Sequence, residues 1–240
     1  MRYATTTLAF CVAGLLALGI VMLYSAGMAQ TDARYLTKQL QWGGIGIFVC
    51  FCAAAIDYRW LKKFAWPLFG ITLVLLILVL VPGIGIIKNG ARRWFDLGPM
   101  YFQPSELAKI TLLIAIATWG DLQAKRMHEF KYGLFIPGVV IAITLGLIFM
   151  GPDFGTTMLL ASVCCILFFV AGTSWKYIFP PMGVGLAAVS IAIMNDPVRM
   201  KRILAFLHPE QYREGTGFQA YQAMLALGAG GTSGLGLGNG

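Results

Sequence analysis

Seven long apolar runs alternate with short polar connections along the chain, at about 7–27, 40–56, 64–82, 104–119, 133–150, 156–171 and 178–194. A helix needs about 17–25 apolar residues to cross the hydrocarbon core of a bilayer, and most of the runs reach that length. The pattern predicts an all-α, polytopic transmembrane helix bundle in which residues 1–240 form a single transmembrane domain. The fourth run is short: from Pro104 to Trp119 it would rise only about 24 Å, so it is expected to start from a loop that dips into the outer membrane face. The first run has an alternative reading, because Gly27-Met28-Ala29 resembles a small-residue cleavage site. Its apolar stretch from Leu8 to Tyr24 exceeds a signal-peptide core, and six more runs follow, so an uncleaved first span is expected.

Composition agrees with the pattern. Of 240 residues, 58% are hydrophobic and 12% charged, with a mean hydropathy of +0.76. Soluble domains carry about 25% charged residues, so this composition excludes an ordinary soluble domain. The formal charge of +8 is scattered between apolar runs. With no basic domain to follow a phosphate backbone, nucleic acid is not an expected partner. Anionic lipid head groups or an anionic lipid-linked substrate fit better. Cys11, Cys50, Cys52, Cys164 and Cys165 all lie within apolar runs and read as packing residues. No metal site and no cofactor is expected from these residues.

With the N-terminus in the cytoplasm, eight basic residues fall on the inner side and ten on the outer. The positive-inside rule is therefore indecisive. The outer excess sits in two long segments, 82–103 and 195–240, which are predicted to be outer loops. Bases placed there against the topological trend point to a bound anion. The glycine-rich end, GAGGTSGLGLGNG, has neither a G-x-G-x-x-G register nor a following GK[ST] and is no nucleotide loop. Its stop at Asn239-Gly240, a turn dipeptide, reads as an interruption within the second outer loop.

Candidate chemistry concentrates in Gly90–Ile110, GARRWFDLGPMYFQPSELAKI. Gln103-Pro104-Ser105-Glu106 reads as a helix start with proline at its first position. Gln103, Glu106 and Lys109 then follow at three-residue intervals on one side of the helix. A charge at bilayer depth costs about 2.5–3.5 kcal/mol, so Glu106 and Lys109 are expected to pair and to face a polar groove. A self-contained pair at a helix end, or a solvated loop, is the plain alternative. Arg92-Arg93-Trp94-Phe95 joins phosphate-matching guanidinium groups to interfacial aromatics. In Gly151-Pro152-Asp153-Phe154-Gly155, Asp153 is placed to cap the next helix, with substrate ordering as the alternative. Arg199, Lys201 and Arg202 form a basic patch after the seventh run, and His128 and His208 receive no role.

At these residues the chain resembles the SEDS family of bacterial membrane proteins, which includes FtsW, RodA and SpoVE. GARRWFDLGPMYFQPSELAKI is similar to the family's G-x-x-RW-x-[DN]-LG…-QP-[SA]-E-x-x-K signature, supported by PDFGT and by RILAFLHPEQYREGTGFQAYQAMLALGAGGTSGLGLGNG. The closing GLGLGN and GFQAYQA look more like the FtsW branch than the RodA branch. The resemblance implies ten spans in a full protein, a cytoplasmic N-terminus and polymerisation of lipid II at the outer face of the inner membrane during division. It also implies a class B penicillin-binding transpeptidase and other divisome proteins as partners. Matched by position, the supporting or substrate-binding residues are Arg93, Gln103, Glu106, Lys109 and Asp153, joined by Arg202 of the terminal segment.

Two departures stand out. The family's proposed catalytic aspartate belongs to a PE-x-HTDF motif that these 240 residues lack, and it is expected beyond Gly240. Gly151 also stands where the family usually has glutamine. A lipid II flippase using the same groove is the competing function, a RodA-like elongation polymerase the alternative within the family, and a transpeptidase-recruiting scaffold is compatible with either. Clustering of the polar residues at one face favours surface chemistry over transport.

Overall fold

The computed structural model describes residues 2–27, 34–88, 90–98, 100–215 and 217–237. Met28 and Ala29 of the cleavage-like tripeptide and the closing Asn239-Gly240 lie outside the described residues. The chain forms two compact units, residues 57–190 and residues 1–56 with 191–240.

In the latter unit, α1 (Arg2–Gly27) and α2 (Arg34–Ala55) pack against each other, and α8 (Pro197–Leu207) and α9 (Phe218–Gly230) lie within residues 195–240. Asp196 caps α8, accepting from the amides of Val198 at 2.9 Å and Arg199 at 3.3 Å. Leu8, Phe10, Leu15, Phe48 and Phe51 are all exposed on α1 and α2. Water-facing proteins rarely expose apolar patches beyond a few hundred Å², so these surfaces are lipid-facing.

The unit of residues 57–190 contains α3 (Tyr58–Leu80), α4 (Pro104–Leu122), α5 (Ile136–Met150), α6 (Phe154–Val170) and most of α7 (Trp175–Met194). Its core joins Phe69 and Leu76 of α3, Leu112 and Ile116 of α4, Ile141 and Ile148 of α5, and Leu160, Cys164 and Phe168 of α6. The buried face of α4 repeats small side chains, Ser105, Ala108, Thr111 and Ala115, which lets α3 approach closely. At that contact Thr111 Oγ1 donates to Thr72 Oγ1 at 3.0 Å. Thr72 and Thr144 each return their hydroxyl to the carbonyl four residues back at 2.9 Å, so neither leaves a polar group unmet in an apolar setting.

Helices occupy all seven predicted runs. Among the described residues four segments, Tyr3–Ser25, Tyr58–Leu80, Lys131–Met150 and Trp175–Met194, are long and apolar enough to cross a membrane by themselves. The others are diluted or short: α2 opens with Lys38, Gln39 and Gln41, α4 carries Glu106, Lys109 and Asp121, and α6 has 17 residues. α4 runs three residues past the predicted Trp119.

The segment predicted as the loop 82–103 is not irregular. It folds into a three-stranded antiparallel sheet, β1 (Ile86–Lys88), β2 (Ala91–Asp96) and β3 (Tyr101–Phe102), in the order β1-β2-β3. Gly90 at φ +76° and Gly98 at φ +82° stand at the two reversals, a region that glycine enters without strain. Asp96 Oδ1 accepts from the Gly98 amide at 2.8 Å and tightens the second turn.

Candidate functional site

The sheet is anchored on the helices through its arginines. β2 lies where α3 ends and α5 turns into α6, and its adjacent arginines grip these two elements separately. Arg92 Nη1 donates to the Leu80 carbonyl at the end of α3 at 3.3 Å. Arg92 Nε is buried without a hydrogen-bond partner among the described residues. Arg93 Nε donates to the Gly151 carbonyl at 2.6 Å, and its Nη2 donates to the Pro152 carbonyl. One planar guanidinium thus holds two successive carbonyls of the α5–α6 turn, a fork that lysine cannot reproduce.

Gln103 and Asp153 meet across 50 residues of sequence. Gln103 is the residue before α4, with Pro104 at the first helical position as the sequence predicts. Its side-chain amide donates to Asp153 Oδ2 at 2.9 Å and to Ser105 Oγ at 2.8 Å. Ser105 Oγ in turn donates to Asp153 Oδ2 at 3.3 Å. Asp153 Oδ1 accepts from the Thr156 amide at 3.2 Å, capping α6. The carboxylate therefore has two tasks: one oxygen starts α6, and the other ties the start of α4 to it. Charge-assisted bonds of this kind are roughly twice as strong as neutral ones.

Glu106 and Lys109 pair at 2.7 Å on α4. The side chains are 58% and 30% exposed respectively, so the pair is open on its glutamate side rather than buried as a whole. Arg202 is exposed on α8 in the other unit. Its neighbour Arg199 pairs with Asp196 at 3.0 Å.

Arg92, Arg93, Ser105, Gly151 and Asp153 line a small, half-open cleft with room for about one water molecule, whose other wall is apolar and includes Leu76, Val79 and Ile148. Two cations, a hydroxyl and a carboxylate thus meet an aliphatic wall at the surface of the unit. Ser105 joins the cluster although the sequence marks it only as part of the α4 start, and Arg92, read with Arg93 as a phosphate-matching pair, lines the same cleft. The exchange of glutamine for Gly151 leaves the Arg93 contact possible, because the acceptor is a main-chain carbonyl. A side chain there would be tight, with its Cβ 3.3 Å from the Ile148 carbonyl oxygen and 3.5 Å from that of Arg92.

The family model described as a cell cycle protein, FtsW/RodA/SpoVE, matches residues 6–240. Among curated relatives, a probable peptidoglycan glycosyltransferase FtsW of Trichlorobacter lovleyi is 38% identical over 95% of this chain and 62% of its own length. Stage V sporulation protein E of Bacillus subtilis is 34% identical over 93% of this chain and 63% of its own length. The chain thus spans somewhat under two thirds of these relatives. Among solved structures, a chain from work described as the structural coordination of polymerization and crosslinking by a peptidoglycan synthase complex superposes with a TM-score of 0.73 at 33% identity, covering 92% of this chain and 64% of that one. The rod shape determining protein RodA of Thermus thermophilus superposes with a TM-score of 0.63 at 32% identity, covering 92% of this chain and 70% of that one. With a match over nearly its whole length and an all-α polytopic membrane bundle, the chain belongs to the FtsW/RodA/SpoVE family.

Proposed function

We propose that the protein is a peptidoglycan glycosyltransferase that polymerises lipid II at the outer face of the bacterial inner membrane, in the manner of FtsW at the division septum. The observation that carries the proposal is the convergence of Arg93, Ser105 and Asp153, from three separate segments, on one small cleft with an aliphatic wall, with Gln103 bonded to Asp153 beside it. In the proposed reaction a sugar hydroxyl of the acceptor attacks the anomeric carbon of the donor glycan. The bond from that carbon to the pyrophosphate oxygen breaks, and undecaprenyl pyrophosphate leaves.

Arg92 and Arg93 supply positive charge where the leaving pyrophosphate gains negative charge, the kind of preorganised assistance that contributes most to many enzymes. Gln103 and Asp153 hold the cleft in shape, and Lys109, paired with Glu106 on the same helix as Ser105, is proposed to add positive charge. Arg202 is proposed to add charge from the terminal segment. None of these residues is assigned the proton transfer. A class B penicillin-binding transpeptidase is the proposed partner, supported by the synthase-complex relative. The names of the relatives favour the FtsW-type role over a RodA-type one.

The test uses the complete gene product, purified with its transpeptidase partner and supplied with fluorescent lipid II. Glycan strands resolved on a gel are the expected result. Absence of polymer, together with movement of a lipid II analogue across vesicles, would replace this reading with transport.

A further inference from the structure

The end of the 57–190 unit remote from Asp153 is formed by the starts of α3 and α7, the end of α4 and the turn entering α5. Trp119 Nε1 donates to the Tyr132 carbonyl at 2.9 Å, Thr173 Oγ1 donates to the Gly133 carbonyl at 3.3 Å, and Phe130 meets the edge of Tyr177 at 5.5 Å. Here residues 57–63, 121–131 and 174–177 carry seven Lys and Arg against three Asp and Glu. Two of those carboxylates are engaged: Asp57 caps α3 and Asp121 pairs with Lys62. Glu129 is the remaining one.

Three of the cations lie on rings rather than on carboxylates. Arg126 Cζ is 5.1 Å and Lys131 Nζ 5.6 Å from the centre of the Tyr132 ring, and Lys176 Nζ is 5.0 Å from that of Tyr177. All three basic residues are exposed. A cation on an aromatic face keeps donors free for an anion. The shelf is also rigidly built. Tyr132 stacks on Trp119, and residues Lys131–Phe135 form a π-helical turn, a feature often found at functional sites. Gly133 inside that turn is obligatory, because a Cβ would lie 2.0 Å from the Met127 carbonyl oxygen.

We propose that Arg126, Lys131 and Lys176, on the shelf of Tyr132 and Tyr177, bind the phosphate of an anionic phospholipid such as phosphatidylglycerol. Charge complementarity supplies the attraction, and exposed Phe135, Trp175 and Phe179 offer aromatic surface where head group meets acyl chain. An acidic protein segment would gain the same charge contacts but would leave those rings uncovered. The inference does not rest on the glycosyltransferase reading.

The test is native mass spectrometry of the full-length protein in detergent with equimolar phosphatidylglycerol and phosphatidylcholine. The wild type is expected to retain phosphatidylglycerol preferentially. Each removed cation should weaken this by about fivefold, so Arg126→Gln/Lys131→Gln/Lys176→Gln should lose on the order of a hundredfold. The single control Lys88→Gln, at the sheet end of the same unit, should stay within about twofold of wild type. Should the triple variant fail to fold, Lys131→Gln alone should show the single fivefold step. No preference in the wild type, or a loss in Lys88→Gln equal to that in Lys131→Gln, would overturn the proposal. Retention of a poly-glutamate peptide without phosphatidylglycerol preference would also overturn it, in favour of a protein partner.

Discussion

At the Asp153 end of the 57–190 unit, Arg93 is engaged by the carbonyls of Gly151 and Pro152, and the Asp153 carboxylate is engaged by Gln103, Ser105 and the α6 amide. At the opposite end, Arg126 and Lys131 rest on one tyrosine ring, with their charge turned outward. The first end carries four cations against three carboxylates in residues 82–109 and 150–154; the second carries seven against three. Cations inside a satisfied network fix geometry, whereas cations over rings remain available to a partner. Taken over this unit alone, the excess of basic residues lies at the α3-start end.

The largest way to break the contrast is to remove the fork. Arg93→Gln should lower polymerisation by the full-length protein by about 100-fold or more, the range for losing one preorganised donor to developing charge. Arg93→Lys keeps the charge but not the two-carbonyl grip and should fall between the two. Gel assays of all three proteins measure this, and an Arg93→Lys enzyme as fast as wild type would reduce the role of Arg93 to charge alone.

Each end also depends on one glycine. A Cβ on Gly85 would lie 1.9 Å from the Val79 carbonyl oxygen, as that on Gly133 would approach Met127. Gly85→Ala and Gly133→Ala should each cost about 2–3 kcal/mol, the upper range of overpacking. Both should lower the thermal unfolding midpoint in detergent, but only Gly85→Ala should depress polymerisation and only Gly133→Ala the phospholipid preference. Identical functional profiles would show that the two ends are not separable.

Asp153 offers a finer cut. Asparagine caps a helix as well as aspartate does, whereas alanine costs about 0.5–2 kcal/mol. Asp153→Asn should therefore keep the thermal midpoint while weakening the bonds from Gln103 and Ser105, and Asp153→Ala should lose both. Equal destabilisation by the two would place the energy in the carboxylate charge rather than in the cap.

What the sequence makes legible is what short-range rules govern. The start of α4 follows from the Pro-Ser-Glu order, and the Asp153 cap from its place one residue before α6. The sheet escaped notice because β1 and β3 are only three and two residues long, too short for alternation to register. The Asn89-Gly90 dipeptide between Lys88 and Ala91 was the available signal for a hairpin, although Asn89 itself lies outside the described residues. The partners of Arg93 could not be read at all, since they are main-chain carbonyls 58 and 59 residues away and carry no side-chain signature.

The smallest expected effect concerns Glu106 and Lys109, where the exposed glutamate changes the expectation. A wholly buried pair would suffer more from losing one partner than from losing both, because a lone buried charge is left behind. With Glu106 open and at the first turn of α4, its charge is also favoured by the helix dipole. A helical pair of this spacing contributes only about 0.2–0.5 kcal/mol. Glu106→Gln, Lys109→Met and the double variant should therefore have thermal midpoints within a few degrees of one another. Polymerisation should fall in every variant that loses Lys109, because it is the half-buried partner and the one placed to meet an anion. A double variant markedly more stable than Lys109→Met would mean that the glutamate faces lipid, and would return the pair to the buried reading.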